Sequence, residues 1–516
     1  MLRNEPKQFS MYSILYNKIP ENHILKSINN AVNFNFINEL LEDSYCKYYG
    51  RPAKEPEMMA KLLILQYLYN LSDVRVIEDT TVNLAYMWFI GVNPEEELPD
   101  PSLLAKFRTQ RLGETTLDEI MKEMVRQCVD KGIIKGQSIS IDATHTQANT
   151  IKKVPERIMK HLAKKILSKI EKENRNILEN INTDIPDYKV IEDHKEAKAV
   201  MKRYLEQLIR EIKENINIEN AIELKNAIDK AEKIINDPKF IEQKGIRSLV
   251  DEEARVGRKS KTQSFYGYKT EFMMIPEEQI ITAVEVYDGA HVDGEEYEKL
   301  FNNTKDCNIE IKEAYGDKAY FRKSILDLLK DNTVDTFIPV SESVYRIDDS
   351  KYTYNKDSDQ WFCAYGNCTI HKKKKIRKDG RHQIEYKFER ETCRKCPNHD
   401  ECVKGSTIAR KLIVGINTAE FYEYKQREKT EEFKEKYKMR ARHEGKNGEM
   451  KRFHGLDRAR GYGLKGMRTQ AKLTAIAVNL KKIAKLASSL NPHLTDFLLI
   501  WLKKSRNMQN LQPYVC

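Results

Sequence analysis

The sequence predicts an α/β fold built on a mixed sheet, preceded by a helical region and interrupted by two insertions. Three observations predict it. Residues 137–144 (QSISIDAT) alternate apolar and polar side chains, the period of a half-buried strand. From Phe265 the chain reads strand (SFYGYKTEFMMI), turn, strand (IITAVEVY), then helix (GEEYEKLFNN), strand (IEIKEAYG), helix (RKSILDLLK) and strand (DTFIPV). An antiparallel pair followed by a βαβ continuation gives a sheet of mixed direction. Around these strands, apolar stripes recur at helical spacing.

Taken in order, residues 1–135 read as a helical N-terminal domain expected to bind DNA. Met58, Leu62, Leu65 and Leu68 repeat at helical spacing, and Leu63, Ile64 and Tyr67 broaden the face. Ser72-Asp73 offers an N-cap for the next helix. Pro99-Asp100-Pro101-Ser102 forms a turn before a short basic helix, LLAKFRTQRLG, stopped by Gly113. Its basic residues (Arg75, Lys106, Arg108, Arg111) suit either a plain bundle surface or a DNA-facing one. Residues 136–151 hold the first strand of the core. Residues 152–250 form a Lys-, Glu-, Asn- and Ile-rich helical insertion. One stripe is Ile158, Leu162, Ile166 and Ile170, continued by Ile177 and Ile181; another is Met201, Leu205, Leu208 and Ile212. Their spacing predicts a helical hairpin with a coiled-coil-like seam, broken near Pro186 and Pro238. The core resumes over 251–342, a cysteine-bearing insertion covers 343–412, and residues 413–490 return to helix, with Ala471, Thr474, Ala475, Val478 and Leu480 in its last stretch. A tail follows at 491–516.

A chain of 516 residues is too long for one core, so two to four domains are expected. A formal net charge of +11 favours an anionic partner, of which nucleic acid is the commonest large one. The start MLRNEPKQFSMY has no apolar h-region, so no secretory signal is expected. The apolar run at 497–502 is far too short for a membrane span, so no membrane partner is expected either.

Two aspartates stand where strands end. Asp142 closes SISID, and Asp317 follows AYG, with Gly316 allowing a close backbone approach. Carboxylates at strand ends are suited to hold Mg²⁺ at a sheet edge, because that ion takes hard oxygen ligands and keeps several waters. Taken singly, such aspartates more often serve turns and caps. Later in the chain, KYKMRARHEGKNGEMK carries Tyr437, Arg440, Glu444 and Lys451. A continuous helix puts the first three on one face. Lys451 stays on that face if the helix survives Gly445 and Asn447-Gly448.

Tyr437-Arg440-Glu444-Lys451 is similar to the Y(2)R(3)E(6)K signature of bacterial insertion-sequence transposases of the DDE class, with all four letters at the right gaps. The wider chain resembles the group usually written IS-eleven-eighty-two. The matching stretches are YGRPAKEPEMMAKLLILQYLYNLSDVRVIEDTTVNLAYMWFIG, IDATHTQANT, DEEARVGRKSKTQSFYGYK, AYGDKAY and GLKGMRTQAKLTAIAVNLKKI. The turn Pro99-Asp100-Pro101-Ser102 departs from the family's Pro-Asp-His-Ser form. The resemblance implies an RNase H-like catalytic core in which Asp142, Asp317 and Glu444 are the catalytic carboxylates and hold two Mg²⁺ ions, with Mn²⁺ able to substitute. It implies cleavage and strand transfer at the ends of an insertion sequence. The expected partners are terminal inverted repeats, target DNA and further copies of the chain, in a bacterial cytoplasm at the nucleoid. Tyr437, Arg440 and Lys451 become supporting or DNA-binding residues. Asp251, in another matching stretch, reads as structural or substrate-facing, and His145 and His443 receive no catalytic role. Two rivals remain: an inactive DNA-binding regulator derived from a transposase, and a metal nuclease that does not join strands. Retention of all three carboxylates speaks against the first.

Five of the nine cysteines fall within forty residues. Cys363-x4-Cys368 and Cys393-x2-Cys396-x5-Cys402 approach the spacing of a structural Zn²⁺ site. The expected set is Cys363, Cys393, Cys396 and Cys402, with Cys368 the alternative to Cys363 and His399 a spare ligand. The intervening HKKKKIRKDGRH suits phosphates or a solvated hairpin.

Overall fold

The computed structural model describes residues 10–490 except 47, 49–51, 174, 216–220, 242–244, 261 and 404–408. The expected tail, with the apolar run at 497–502 and Cys516, lies outside the described residues. Six strands make the central sheet: β1 (Ser138–Gln147), β2 (Arg255–Arg258), β3 (Ser264–Ile275), β4 (Ile280–Asp288), β5 (Glu313–Tyr315) and β6 (Asp335–Phe337). Their order is β2-β3-β1-β5-β6, with β4 also on β3. β3 is antiparallel to β1, β2 and β4, while β5 runs parallel to both β1 and β6. β2 and β4 share the outer edge of β3, at residues 264–267 and 268–275. The sheet is mixed, as the hairpin-then-βαβ pattern predicts.

Alternation along the strands builds two different faces. Ile139, Ile141, Met273, Ala283 and Ala314 pack against the helices Tyr297–Lys305 and Lys323–Asp331. Phe272, Met274, Val284 and Val286 pack instead into the largest core, shared with the N-terminal helices and the last helix, Gly463–Leu490. That helix also guards the exposed side of β4. The Asn479 amide donates to Ile281 O at 2.6 Å and accepts from Ile281 N at 2.8 Å. Both backbone groups are buried, so leaving them unpaired would be costly.

In the N-terminal helices, Met58, Leu62, Leu65 and Leu68 are buried, and Ser72 caps its helix by accepting from Arg75 N at 3.1 Å. Asp100 does the same for Ser102 N at 2.8 Å, so the Pro-Asp-Pro-Ser turn serves as a helix start. The basic residues here are largely occupied internally. Arg108 forks onto Asp73, Arg75 pairs with Asp79 at 2.8 Å, and Arg111 donates to Ser44 O. Of the four, only Lys106 has no such partner among the described residues, which weakens a DNA-facing surface built from them.

The insertion is a three-helix unit, where the two stripes alone predicted a hairpin. Helices Pro155–Glu173, His194–Asn215 and Ile222–Ile235 enclose their own core. The third helix contributes Leu224, Ile228, Ala231 and Ile235, a stripe that the low hydrophobicity of the surrounding sequence obscures. The ends of the insertion meet where Lys153 N donates to Arg247 O at 2.8 Å. At its exit Asp251 is buried and accepts from Tyr268 OH and Ala254 N, which ties the exit to β3. Asp251 is thus a structural residue. The cysteine-bearing lobe has a hairpin, β7 (Tyr352–Asn355) and β8 (Gln360–Cys363). Beside it lies a three-stranded sheet of β9 (Thr369–Ile376), β10 (His382–Phe388) and β11 (Lys411–Gly415), around buried Trp361. No helix among the described residues is long and apolar enough to cross a membrane.

Candidate active site

Strand register brings Asp142 and Asp317 together. β1 and β5 pair in parallel, Ser138 with Glu313 and Ser140 with Tyr315. The ladder stops there: β1 carries Asp142 on toward Gln147, not ending at Asp142 as expected, while Asp317 lies two residues past the end of β5. Alternation fixes the face. Ile141 lies in the core on one side, and Tyr315 packs with Phe337, Phe433, Tyr437 and Met439 on the other. Asp142 and Asp317 follow Ser140 and Tyr315 to that second side. β5 ends at Gly316, where a Cβ would meet Ile141 and Tyr320 at 3.3 Å. The chain then turns, and Asp317 caps the turn by accepting from Ala319 N at 2.8 Å. Asp317 is therefore a cap as well as a candidate site carboxylate.

The segment that covers this face is not one continuous helix. Helix Glu431–Tyr437 gives way to a 3-10 turn, Lys438–Ala441, before helix Arg442–His454. The expected single face of Tyr437, Arg440 and Glu444 is thus interrupted, whereas the second helix runs unbroken through Gly445 and Gly448 to Lys451. Tyr437 stacks on Phe433 at 5.9 Å. Arg440 approaches Asp142, Nη2 to Oδ1 at 3.7 Å, with the Asp142 side chain only 14% exposed. Asn447 Nδ2 donates to Asp142 Oδ2 at 3.1 Å, and its Oδ1 is buried without a partner. His443 is fully buried against Phe272, and burial lowers its pKa to about 3, so it stays neutral.

Glu444 is exposed, and no hydrogen bond or ion pair among the described residues ties it to either aspartate. It precedes Asn447 by three residues, about 60° away around the helix. Glu449 is turned elsewhere, held at 3.0 Å by both Lys446 and Lys481.

Burial pushes the Asp142 carboxyl up to about 6, against the opposing pull of Arg440; Asp317 and Asp293 add to the rise. A carboxylate with that much uncompensated charge suits a cation. On donor chemistry, the two aspartates and the orphaned Asn447 oxygen fit a hard divalent ion. Among the described residues, no three His, Cys, Asp or Glu side chains lie close enough to hold one.

Three neighbours were missed by reading the sequence. Asn447 sits inside the signature stretch at helical spacing from Glu444, which was an available signal. Glu271 is fully buried in β3, level with Ala143, and burial pushes it up to about 7. It accepts from Gly294 N at 2.8 Å, and its other oxygen has no partner among the described residues. A lone carboxylate in the apolar run FMMI was its signal. Asp293, paired with Lys269 at 2.8 Å, had none.

Beyond Asp142 the site turns basic. Burial and Lys259 lower Lys451 to about 8, and burial with Lys451, Lys259 and Lys269 lowers His145 to about 4. An anion placed here would relieve that crowding.

In the cysteine lobe, Cys363, Cys393, Cys396, Cys402 and His399 line one cavity of about 350 Å³. Cys368 does not line it, so the cavity favours the set with Cys363. Asn367 Nδ2 donates to Cys393 Sγ at 3.1 Å, and Cys396 N donates to Cys393 O at 3.3 Å, closing the knuckle. The described cysteines are all free thiols. Their sulfurs face one space without converging to ligand distance. In the basic hairpin, Lys372 pairs with Asp359 and Lys375 with Glu385.

The chain matches two known families over separate stretches. Residues 13–110 match a family described as a transposase domain (DUF772), and residues 362–484 match a transposase DDE domain. Together they support a DDE-class transposase. The second match contains Tyr437 to Lys451 and begins after both aspartates. No curated protein matches the chain. A solved piggyBac transposase synaptic complex with hairpin DNA is similar over 98% of this chain and 87% of that one, at 10% identity and a TM-score of 0.26. A score that low carries no argument about the fold.

Proposed function

We propose that the chain is a DNA transposase that cleaves and joins strands at the ends of an insertion sequence, on an RNase H-like core. The observation that carries this reading is the pairing of β1 with β5, which sets Asp142 beside Asp317 under the Tyr437–Lys451 segment. An antiparallel β4-β3-β1 half continued by parallel β5 and β6 supports the core assignment.

Two divalent ions, Mg²⁺ or in its place Mn²⁺, would supply activation of the attacking water or 3′-hydroxyl and stabilisation of the leaving oxygen. Asp142, within β1, and Asp317, just past β5, offer the carboxylate oxygens from the centre of the sheet. Glu444, exposed one turn before Asn447, is the third carboxylate in this reading. Asn447 and Arg440 hold Asp142 in place. Lys451, with Lys259, faces the phosphates, and Tyr437 walls the site on the Asp317 side. The active complex contains further copies of the chain, and the protein works at the nucleoid of a bacterial cytoplasm. The cysteine cavity holds a structural Zn²⁺ on Cys363, Cys393, Cys396 and Cys402.

The test is strand cleavage and joining on labelled DNA carrying the sequences that flank the coding region, in Mg²⁺ and in Mn²⁺. Wild-type protein should nick the ends and join them to a target, while Asp142→Asn and Asp317→Asn should bind the ends without cutting. Cutting by both variants would overturn the site. Cutting without joining would leave a nuclease, and binding without cutting a regulator.

A further inference from the structure

A groove of about 1210 Å³ opens where the helical insertion meets the sheet. The insertion contributes Lys152 and Lys153 to its lining. The sheet side contributes Arg258 from β2, and the turn that follows Asp317 contributes Lys318 and Arg322. The only acidic residue among the described residues lining it is Asp293, which Lys269 already neutralises at 2.8 Å. No carboxylate lies within ion-pair distance of Lys152, Lys153, Arg258 or Arg322 among the described residues. Lys318 reaches only Glu342, at the surface.

Unpaired positive charge concentrated in a groove raises the local potential and draws in a polyanion. The surface of this chain elsewhere pairs its lysines readily, as at Lys169, Lys213 and Lys230 within the same insertion. The groove also has a direction. Lys318 follows Asp317 in the chain, so one end of the basic lining abuts the aspartate pair and the other lies at the root of the insertion. A small anion would need a tight cluster of donors. An extended line of separated charges suits a phosphodiester backbone.

We propose that this groove carries the DNA backbone to the aspartate pair, and that the insertion acts as a clamp whose root, at residues 152–155, Ile241 and Arg247, forms its outer wall. This rests on the transposase reading above. The insertion then has a role that its own sequence, a solvated amphipathic bundle, does not announce.

The experiment measures DNA binding alone, with full-length protein in EDTA. The probes are a fluorescent mixed-sequence duplex of about 30 base pairs and the corresponding single strand, titrated between about 50 and 200 mM salt. Lys152→Glu/Lys153→Glu/Arg258→Glu is compared with Lys172→Glu/Lys195→Glu/Lys198→Glu. The latter makes the same change in net charge on the insertion, away from the groove lining. The groove variant should bind at least about 30-fold more weakly, with the slope of log affinity against log salt reduced by about 2 to 3. The control should stay within about 3-fold of wild type. A thermal melt verifies folding, and Lys152→Gln/Lys153→Gln/Arg258→Gln should fall between the two. Loss on the duplex assigns the groove to double-stranded DNA; loss confined to the strand assigns it to an unpaired one. If wild type binds and the groove variants bind equally well, or no worse than the control, the clamp is wrong while the transposase reading stands. If wild type binds neither probe, both fall.

Discussion

The aspartate edge and the cysteine cavity are both places where this chain gathers metal-binding side chains, and they are built in opposite ways. Asp142 lies within β1 at the centre of the sheet and Asp317 caps the turn just past the end of β5, so both are anchored by the ladder between these strands. The cysteines sit on a short hairpin, two helices of five and four residues and the loops between them. A small core and short-range hydrogen bonds, such as Arg410 Nη1 to Cys402 O at 3.1 Å, fix their positions there. A register-held pair keeps its geometry without metal and bears electrostatic strain. A loop-held set has little structure to strain and depends on the metal for its shape.

The largest expected effect lies at the edge. Asp142→Asn, Asp317→Asn and Glu444→Gln should each reduce cleavage and joining by about 100-fold or more. End binding should stay largely intact, because the strands do not need the charges to fold. A strand-cleavage assay run beside a binding assay checks this. Collapse of the fold in the Asp142 or Asp317 variants would erase the contrast between the two regions.

The next effect lies in the lobe. Cys393→Ser/Cys396→Ser should remove one zinc per chain and expose residues 343–412 to limited proteolysis, without directly abolishing cleavage. Elemental analysis and digestion with and without chelator decide it. A lobe that carries no zinc and resists protease after chelation would show that its small core suffices.

The two regions were not equally legible in the sequence, and the reason is physical. Stripes such as Ile158-Leu162-Ile166-Ile170 announce their own burial, because periodicity is local. The strands before Asp142 and Asp317 were readable for the same reason, but β1 does not end at Asp142 as expected: its pairing with β3 carries it on to Gln147. Their adjacency was not, since register between strands far apart in sequence leaves no local trace. The 3-10 break at 438–441 was hidden because MRA carries neither proline nor glycine. Asn447 and Glu271 were visible as letters but not as neighbours. Cysteine spacing gave a ligand set, yet only the cavity separates Cys363 from Cys368.

A third prediction measures the strain at the edge. Asp142 has its pKa raised to about 6 in the folded protein, from a usual value of 3.8. Its stabilising contribution is therefore fully present below about pH 4 and is lost as the pH rises through about 6. By pH 8 the metal-free protein should have lost about 2 to 3 kcal/mol to this group. Glu271 acts in the same direction, between its usual 4.5 and about 7. The difference between wild type and Asp142→Asn isolates Asp142, because Glu271 is present in both. Urea unfolding against pH should show the variant gaining on wild type between about pH 4 and 6 and keeping that gain at higher pH, and Mg²⁺ at pH 8 should stabilise wild type alone. Parallel curves for the two proteins would mean that the ladder imposes no such strain.

The smallest catalytic effect belongs to Glu449, and it separates two glutamates five residues apart on one helix. Glu449 is held by Lys446 and Lys481, and the Lys446 side chain is only 2% exposed. Those cations hold the Glu449 carboxyl below its usual range, in spite of burial. Its stabilising contribution is thus present above about pH 4.5 and fades as the pH falls through the lowered folded value. Glu449→Gln leaves a buried ammonium without its counter-charge, and should cost about 1 to 3 kcal/mol at pH 7. Cleavage should stay within about 3-fold of wild type, since the side chain points away from Asp142. Glu444→Gln should do the reverse. Exposed and without an ion pair among the described residues, Glu444 adds little to stability, so its loss should leave the melting temperature unchanged while cutting fails. One melt and one cleavage assay on each variant give four readings. If Glu449→Gln is the dead enzyme, the third carboxylate has been placed on the wrong side of the helix. If Asn447→Ala is dead while Glu444→Gln cuts normally, the orphaned amide oxygen beside Asp142 is the third ligand instead.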